Sequence, residues 1–247
     1  MMIGSSGATV RHTGDVVTKY CRNAQDQAHW MRTASALGVV DGIAVVQVIR
    51  EANDSYVMEY VLGKTATHEP SVVPISNLYR QVKAWSVILP QSNASWTDYL
   101  LRLKGHAEIA HSDIIDRAVR LISASQPLQQ SFCHGDLTLE NAIVAHDGTT
   151  FLIDPNADDS IYQSWLLDCG KLLQSTHTDY HLSFKSNNGV PLARHDAVLC
   201  AMLRKDGIYR EALIACLSHI VRLCKYRINE MHKIESIAID ILKELEC

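Results

Sequence analysis

Apolar and polar positions change their rhythm along the chain, and the change divides it. The first sixty residues carry short β-branched and aromatic runs broken by turn signals. Residues 10–12 and 16–20 flank Thr13-Gly14-Asp15, and residues 43–49 and 55–61 read as two strands joined across Glu51-Ala52-Asn53-Asp54. Between them, residues 23–37 put Ala28, Met31, Ala34 and Leu37 on one face, and Gly38 supplies a stop, which predicts an amphipathic helix. From about residue 71 the spacing turns helical, over 75–88, 95–106 and 112–124, with Ser112 or Asp113 as the cap of the last. Helical spacing returns over 192–204, 207–226 and 234–246. One interruption stands out. Residues 142–145 (AIVA) and 151–153 (FLI) are short apolar runs around His146-Asp147-Gly148-Thr149, a hairpin signature.

That hairpin frames the candidate chemistry. It is preceded by Cys133-His134-Gly135-Asp136-Leu137-Thr138-Leu139-Glu140-Asn141 and followed by Asp154. Asn141 enters the first strand and Asp154 leaves the second, so the turn brings these two side chains together beside the loop carrying Asp136. Three oxygen-bearing groups at one rim suit a hard cation such as Mg2+, and a carboxylate beside a metal pair is the recurring apparatus of phosphoryl transfer.

His-Gly-Asp-x-x-x-x-Asn followed by Ile-Asp resembles the signature of the aminoglycoside phosphotransferase and choline kinase branch of the protein-kinase-like fold. The resemblance implies an α+β, bilobal architecture. Residues 1–62 would form an abbreviated β-rich nucleotide-binding lobe, and residues 63–247 a mainly helical lobe with the catalytic loop and acceptor site. It makes Asp136 the catalytic base and gives Asn141 and Asp154 to Mg2+; His134, grouped with the catalytic residues, is expected to shape the loop by hydrogen bonding, the alternative being a proton shuttle. Gly4, Ser5, Ser6 and Gly7 would close over the phosphates of ATP, aided by Lys19 on a strand. Backbone groups of Glu59, Tyr60 and Val61 would pair with the adenine edge. The family places a glutamate on the following helix to orient the strand lysine; this helix has none, and Gln27 aligns best in its place, with Asp26 the rival. Asp168, in Asp168-Cys169-Gly170-Lys171, matches a buried aspartate that braces the catalytic loop. The same helix resembles kinase-like proteins linked to surface polysaccharide synthesis.

A small-molecule kinase is expected rather than a protein kinase. Gly135 replaces the arginine that pairs with a phosphorylated activation loop, Pro155-Asn156 replaces Phe-Gly, and no Ala-Pro-Glu follows. The acceptor hydroxyl is that of a sugar, an amino alcohol or an aminoglycoside, and Asp158, Asp159 and Asp179 are candidates for contacting a cationic one. The rival reading is a pseudokinase that binds nucleotide or a partner without turnover.

Composition narrows the setting. Lys and Arg number 23 against 27 Asp and Glu, a net charge of −4, which gives no general attraction to nucleic acid. No apolar run approaches the length of a membrane span, and the first residues lack the pattern of a secretory signal. Seven cysteines in no metal-ligand spacing are expected as thiols in a reducing cytoplasm. Twelve histidines lack the H-E-x-x-H spacing of a zinc enzyme. The oligomeric state is not encoded in any of these features.

Overall fold

The computed structural model describes residues 2–3, 8–88, 96–128, 130–156, 164–178, 180–184 and 191–246. Gly4, Ser5, Ser6 and Gly7, expected to cover the phosphates, lie outside the described residues, as do Asp158, Asp159 and Asp179.

Residues 2–59 supply the strands of one five-stranded sheet. Its strands are β1 (Met2–Ile3), β2 (Thr9–Thr13), β3 (Val16–Tyr20), β5 (Val48–Glu51) and β6 (Ser55–Glu59), in the order β1-β2-β3-β6-β5. All pairings are antiparallel, with Lys19 opposite Tyr56. Alternation in β3 turns Val17 and Lys19 inward, toward helix α1 (Ala24–Leu37), whose buried face is Ala24, Gln27, Ala28, Trp30, Met31 and Ala34.

Residues 43–49 are not one strand. They divide into β4 (Ile43–Val45) and β5, which belong to different sheets. The break falls at Val46-Gln47: the Val46 amide donates to the Leu152 carbonyl at 3.4 Å, and the Gln47 amide to the Glu59 carboxylate at 2.9 Å. A mainly apolar run hides such a switch, because its spacing does not say that β4 is part-buried in one sheet and β5 largely exposed in another.

The second sheet has the order β4-β9-β8-β7, with β7 (Gly63–Thr65), β8 (Ala142–Ala145) and β9 (Thr150–Leu152). β8 and β9 form the expected hairpin, Ile143 opposite Phe151, while β4 runs parallel to β9. Residues 60–62 therefore pass directly from one sheet to the other.

Helices α2 (Val73–Trp85), α3 (Trp96–Glu108), α4 (Asp113–Ala124), α5 (Trp165–Thr176), α6 (Tyr180–Phe184), α7 (Ala193–Lys205), α8 (Tyr209–Arg222) and α9 (Met231–Glu246) make up the remainder. Ser112, not Asp113, caps α4; its hydroxyl accepts from the Ile115 amide at 3.4 Å. The stretch expected as one helix over 207–226 ends at Arg222 and continues as a 3-10 turn, Leu223–Lys225. At the centre α5 crosses α8. Gly170 makes that crossing possible, since a Cβ there would sit 2.7 Å from the Ala215 carbonyl carbon. Leu172 and Leu173 of α5 and Leu217 and Ile220 of α8 are fully buried, each stabilising the fold by roughly 1.5–3 kcal/mol. Among the described residues, no helix is long and apolar enough to cross a membrane.

Candidate active site

The loop before β8 is held from below by side chains of α5. Asp168, fully buried on α5, accepts the His134 amide at 2.6 Å through Oδ2 and the Gly135 amide at 2.9 Å through Oδ1. Burial pushes its carboxyl up to about 7, although the two amides pull the other way. Ser175, farther along α5, accepts the Leu139 amide at 3.1 Å. From the opposite side, Trp30 Nε1 donates to the Cys133 carbonyl at 2.7 Å. Trp30 also stacks on Phe132 and meets Trp85 and His134 edge-on, which fixes its indole. The loop is thus clamped between α1 and α5.

Gly135 is required by this geometry twice over. Its φ is +79°, in the left-handed region, and a Cβ would lie 2.6 Å from the Asn156 carbonyl oxygen. The Asn156 amide donates to the His134 carbonyl at 2.9 Å, tying the segment after β9 against the loop.

His134 is fully buried. Its Nε2 donates to the Ile153 carbonyl at 2.9 Å, and its Nδ1 accepts the Asp136 amide at 3.4 Å. Burial lowers its pKa to about 4, against smaller opposing effects of Asp136 and the Ile153 carbonyl. The ring is therefore neutral at pH 7, with one nitrogen engaged within the loop and the other by the residue after β9.

Asp136 emerges from this base with its side chain 42% exposed. Lys171 Nζ meets Oδ1 at 2.9 Å. Asn141 Nδ2 donates to the Asp136 carbonyl at 2.7 Å and to Oδ2 at 3.2 Å. Burial raises the Asp136 carboxyl, but the Lys171 charge and hydrogen bond, with Arg222 and His134 beyond, outweigh it and leave the pKa below the usual carboxylate range. Sequence reasoning gave Lys171 no role. The signal was present: Lys171 stands three residues after Asp168, so both project from one face of α5 beneath the loop. Burial lowers the Lys171 pKa, opposed by Asp136.

Asn141 and Asp154 come together as the hairpin requires, for the Ile153 amide donates to the Asn141 carbonyl at 3.0 Å. Because Nδ2 of Asn141 is turned to Asp136, Oδ1 points the other way. Asp154 has φ +56°, an uncommon conformation for a residue with a side chain. Its carboxylate reaches back to Lys19 of β3 in an ion pair. The donor set of one carboxamide oxygen and the Asp154 carboxylate, with the Asp136 carboxylate adjacent, consists of hard oxygen atoms and fits Mg2+.

The lysine's second partner settles the choice left open on α1. Lys19 Nζ donates to Gln27 Oε1 at 3.0 Å, as does the Tyr56 hydroxyl at 3.1 Å, whereas Asp26 is exposed. In the segment between the sheets, the Glu59 amide donates to the Gln47 carbonyl at 3.1 Å and the Tyr60 amide to the Asp15 carbonyl at 2.9 Å. Those two donors are spent within the first lobe. Cys133, beside the loop, is buried, and burial raises its thiol pKa.

No family model matches the sequence, and no curated protein matches it. Solved structures do. Choline kinase LicA from Streptococcus pneumoniae superposes with a TM-score of 0.58 at 13% identity, covering 98% of this chain and 91% of its own. Aminoglycoside-3'-phosphotransferase of type VIII gives 0.59 at 16% identity, over 88% and 90%. The aminoglycoside phosphotransferase APH(4)-Ia, in ternary complex with AMP-PNP and hygromycin B, gives 0.60 at 8% identity, over 96% and 93%. The chain therefore has the protein-kinase-like fold shared by the aminoglycoside phosphotransferases and choline kinases.

Proposed function

We propose that this protein is an ATP-dependent small-molecule kinase that transfers the γ-phosphoryl group to a hydroxyl of a sugar, amino alcohol or aminoglycoside-like acceptor. The observation that carries the reading is the convergence of Asp136, Asn141, Asp154 and Lys19 at one edge between the two sheets, in a fold whose solved examples include a complex with AMP-PNP and hygromycin B. Asp136 is the group that accepts or orients the acceptor's proton. Lys171 and Asn141 hold its two oxygens, so the carboxylate meets the hydroxyl ionised and fixed in direction.

Asn141 Oδ1 and the Asp154 carboxylate would hold Mg2+, which when bound neutralises phosphate charge. Lys19 would address the phosphates from β3, oriented by Gln27. Among the described residues the Glu59 and Tyr60 amides are already bonded, so of the three residues expected at the adenine edge Val61 would supply the amide for that pairing. His134, neutral and buried, positions the loop and exchanges no proton. Most of the rate gain in this arrangement comes from positioning and charge neutralisation.

The test is Mg2+-dependent ATP consumption by the purified protein across pools of sugars, amino alcohols and aminoglycosides. One pool should support turnover, and Asp136→Asn should reduce it by about 10²–10⁴-fold while nucleotide still binds. Measurable nucleotide binding with no turnover in any pool would overturn the reading in favour of a pseudokinase.

A further inference from the structure

A second cluster of chemically capable side chains lies away from the cleft, where α5, α7 and α9 meet. His177 follows α5 as its C-cap residue. Asp196 and Cys200 lie one turn apart on α7, and Glu244 sits in the last turns of α9. One ligand atom each from His177, Asp196 and Cys200 falls within 4.8 Å of the others. His177 stands nine residues beyond Asp168, about 13 Å farther along α5 at 1.5 Å per residue. None of these residues touches the catalytic loop.

We propose that His177, Asp196 and Cys200 form a binding site for a divalent cation of the zinc class, with Glu244 orienting the histidine. The separations suit a tetrahedral ion. With bonds of about 2.0 Å to nitrogen and oxygen and about 2.3 Å to sulfur, tetrahedral edges are about 3.3 Å for N to O and about 3.5 Å for O to S. His177 Nδ1 lies 3.2 Å from both Asp196 oxygens, and Cys200 Sγ lies 3.4 Å from Oδ1. Glu244 Oε2 takes the other ring nitrogen, Nε2, at 3.1 Å. That is the carboxylate–histidine arrangement that puts the proton on Nε2 and leaves the Nδ1 lone pair to a metal.

The donor set selects the ion. A thiolate with an imidazole and one carboxylate favours zinc-like metals, and disfavours Mg2+ and Ca2+, which seek oxygen alone. The surrounding charges are in proportion. Arg204 lies 3.6 Å from Glu244 Oε1, and the Tyr209 hydroxyl donates to the same oxygen at 2.6 Å, so the orienting carboxylate is itself held. Without a metal the same cluster closes on protons. His177 is then raised to about 10, first by its bond to Asp196 and then by Cys200, with burial opposing. A bound zinc ion displaces the imidazolium proton and the thiol proton to solvent, and its two charges are balanced by Asp196 and the thiolate. The site would staple the end of α5 to α7 and α9, a structural role that leaves the cleft untouched and does not depend on the phosphotransfer reading.

The experiment uses the full chain after dialysis against a chelator. Titration with Co2+ alone should give one equivalent per chain with a thiolate charge-transfer band in the near ultraviolet, and Zn2+ should abolish it. Cys200→Ser should lose the band, and Glu244→Gln should keep it while weakening Co2+ affinity by about 10–100-fold. Zn2+, and not Mg2+, should raise the thermal midpoint and protect Cys200 from alkylation, read by mass spectrometry on the wild-type protein. Those last measurements stand even if a variant fails to fold. A wild-type protein without the band, or one whose Cys200 alkylates equally fast with and without Zn2+, overturns the proposal and leaves a cluster closed by protons only.

Discussion

Replacing Lys171 with methionine separates positioning from packing in the active site. Lys171 Nζ is 2.9 Å from Asp136 Oδ1, which at an effective dielectric constant of 20 corresponds to about 6 kcal/mol of attraction. The Asp136 side chain is 42% exposed, so solvent screening reduces this to about 2–3 kcal/mol. Losing the ammonium lets burial dominate at Asp136 and raises its pKa. That rise of about one to two pH units starts from below the usual carboxylate range, so Asp136 stays ionised from pH 5 to 9 and the shape of the rate profile there should be unchanged. The carboxylate also loses the contact that fixes Oδ1, so kcat should fall by about 10- to 100-fold at pH 7.5. KM for ATP should stay within about twofold, since the ion pair of Lys171 is with Asp136, the proposed acceptor-side carboxylate. The fold should survive, as the methionine fills a similar volume and removes the cost of burying an ammonium. The assay is Mg2+-dependent ATP consumption with the productive acceptor, from pH 5 to 9. A Lys171→Met protein with wild-type kcat would show that Lys171 is packing alone and sink the argument.

Gly135→Ala combines a left-handed backbone costing about 1–2 kcal/mol with a Cβ 2.6 Å from the Asn156 carbonyl oxygen. Scanning calorimetry should show a midpoint about 5–10 °C lower, and an unchanged midpoint would contradict the contact. Gln27→Leu strips an acceptor from the Lys19 ammonium and the Tyr56 hydroxyl. It should cost about 1–3 kcal/mol in urea unfolding and weaken nucleotide binding by calorimetry; unchanged values for both would remove Gln27 from the lysine's support. Between pH 6 and 5 the protein should lose stability. Burial holds His134 and His106 at about 4 and His219 well below its ordinary value, so the unfolded chain binds protons that the folded chain refuses. Asp168, raised to about 7, opposes this by one proton. A net of roughly two protons gives about 3 kcal/mol per pH unit, and a urea midpoint flat across that interval would refute the burial assignments.

The parts of this fold that were legible in the sequence are those whose neighbours are close in the chain. The hairpin 142–153 carries its own turn, and the register follows from it, so Asn141 and Asp154 could be paired before any coordinates. Helix α1 was readable from its apolar face and Gly38. What escaped was decided by distant partners. The switch of sheets at Val46 depends on Leu152, more than a hundred residues away, and nothing in an apolar run announces which half pairs with what. Gln27 aligns better than Asp26 in the sequence, but the bond to Lys19 depends on which side of α1 faces β3. Lys171 was overlooked because a lysine in a helix ordinarily projects to solvent, and only the burial of α5 beneath the loop turns it inward.

Helix α1 has a consequence for control. Gln27 and Trp30 stand about one turn apart, one hydrogen-bonded to Lys19 and the other to the Cys133 carbonyl. A rigid helix with two such attachments works as a gauge block: it sets the distance between the lysine and the loop that bears Asp136, and it cannot release one without disturbing the other. Displacing α1 would dismantle both halves of the apparatus together. Under the proposed function, a movement of α1 would therefore alter the grip of Lys19 and the loop bearing Asp136 together rather than one at a time.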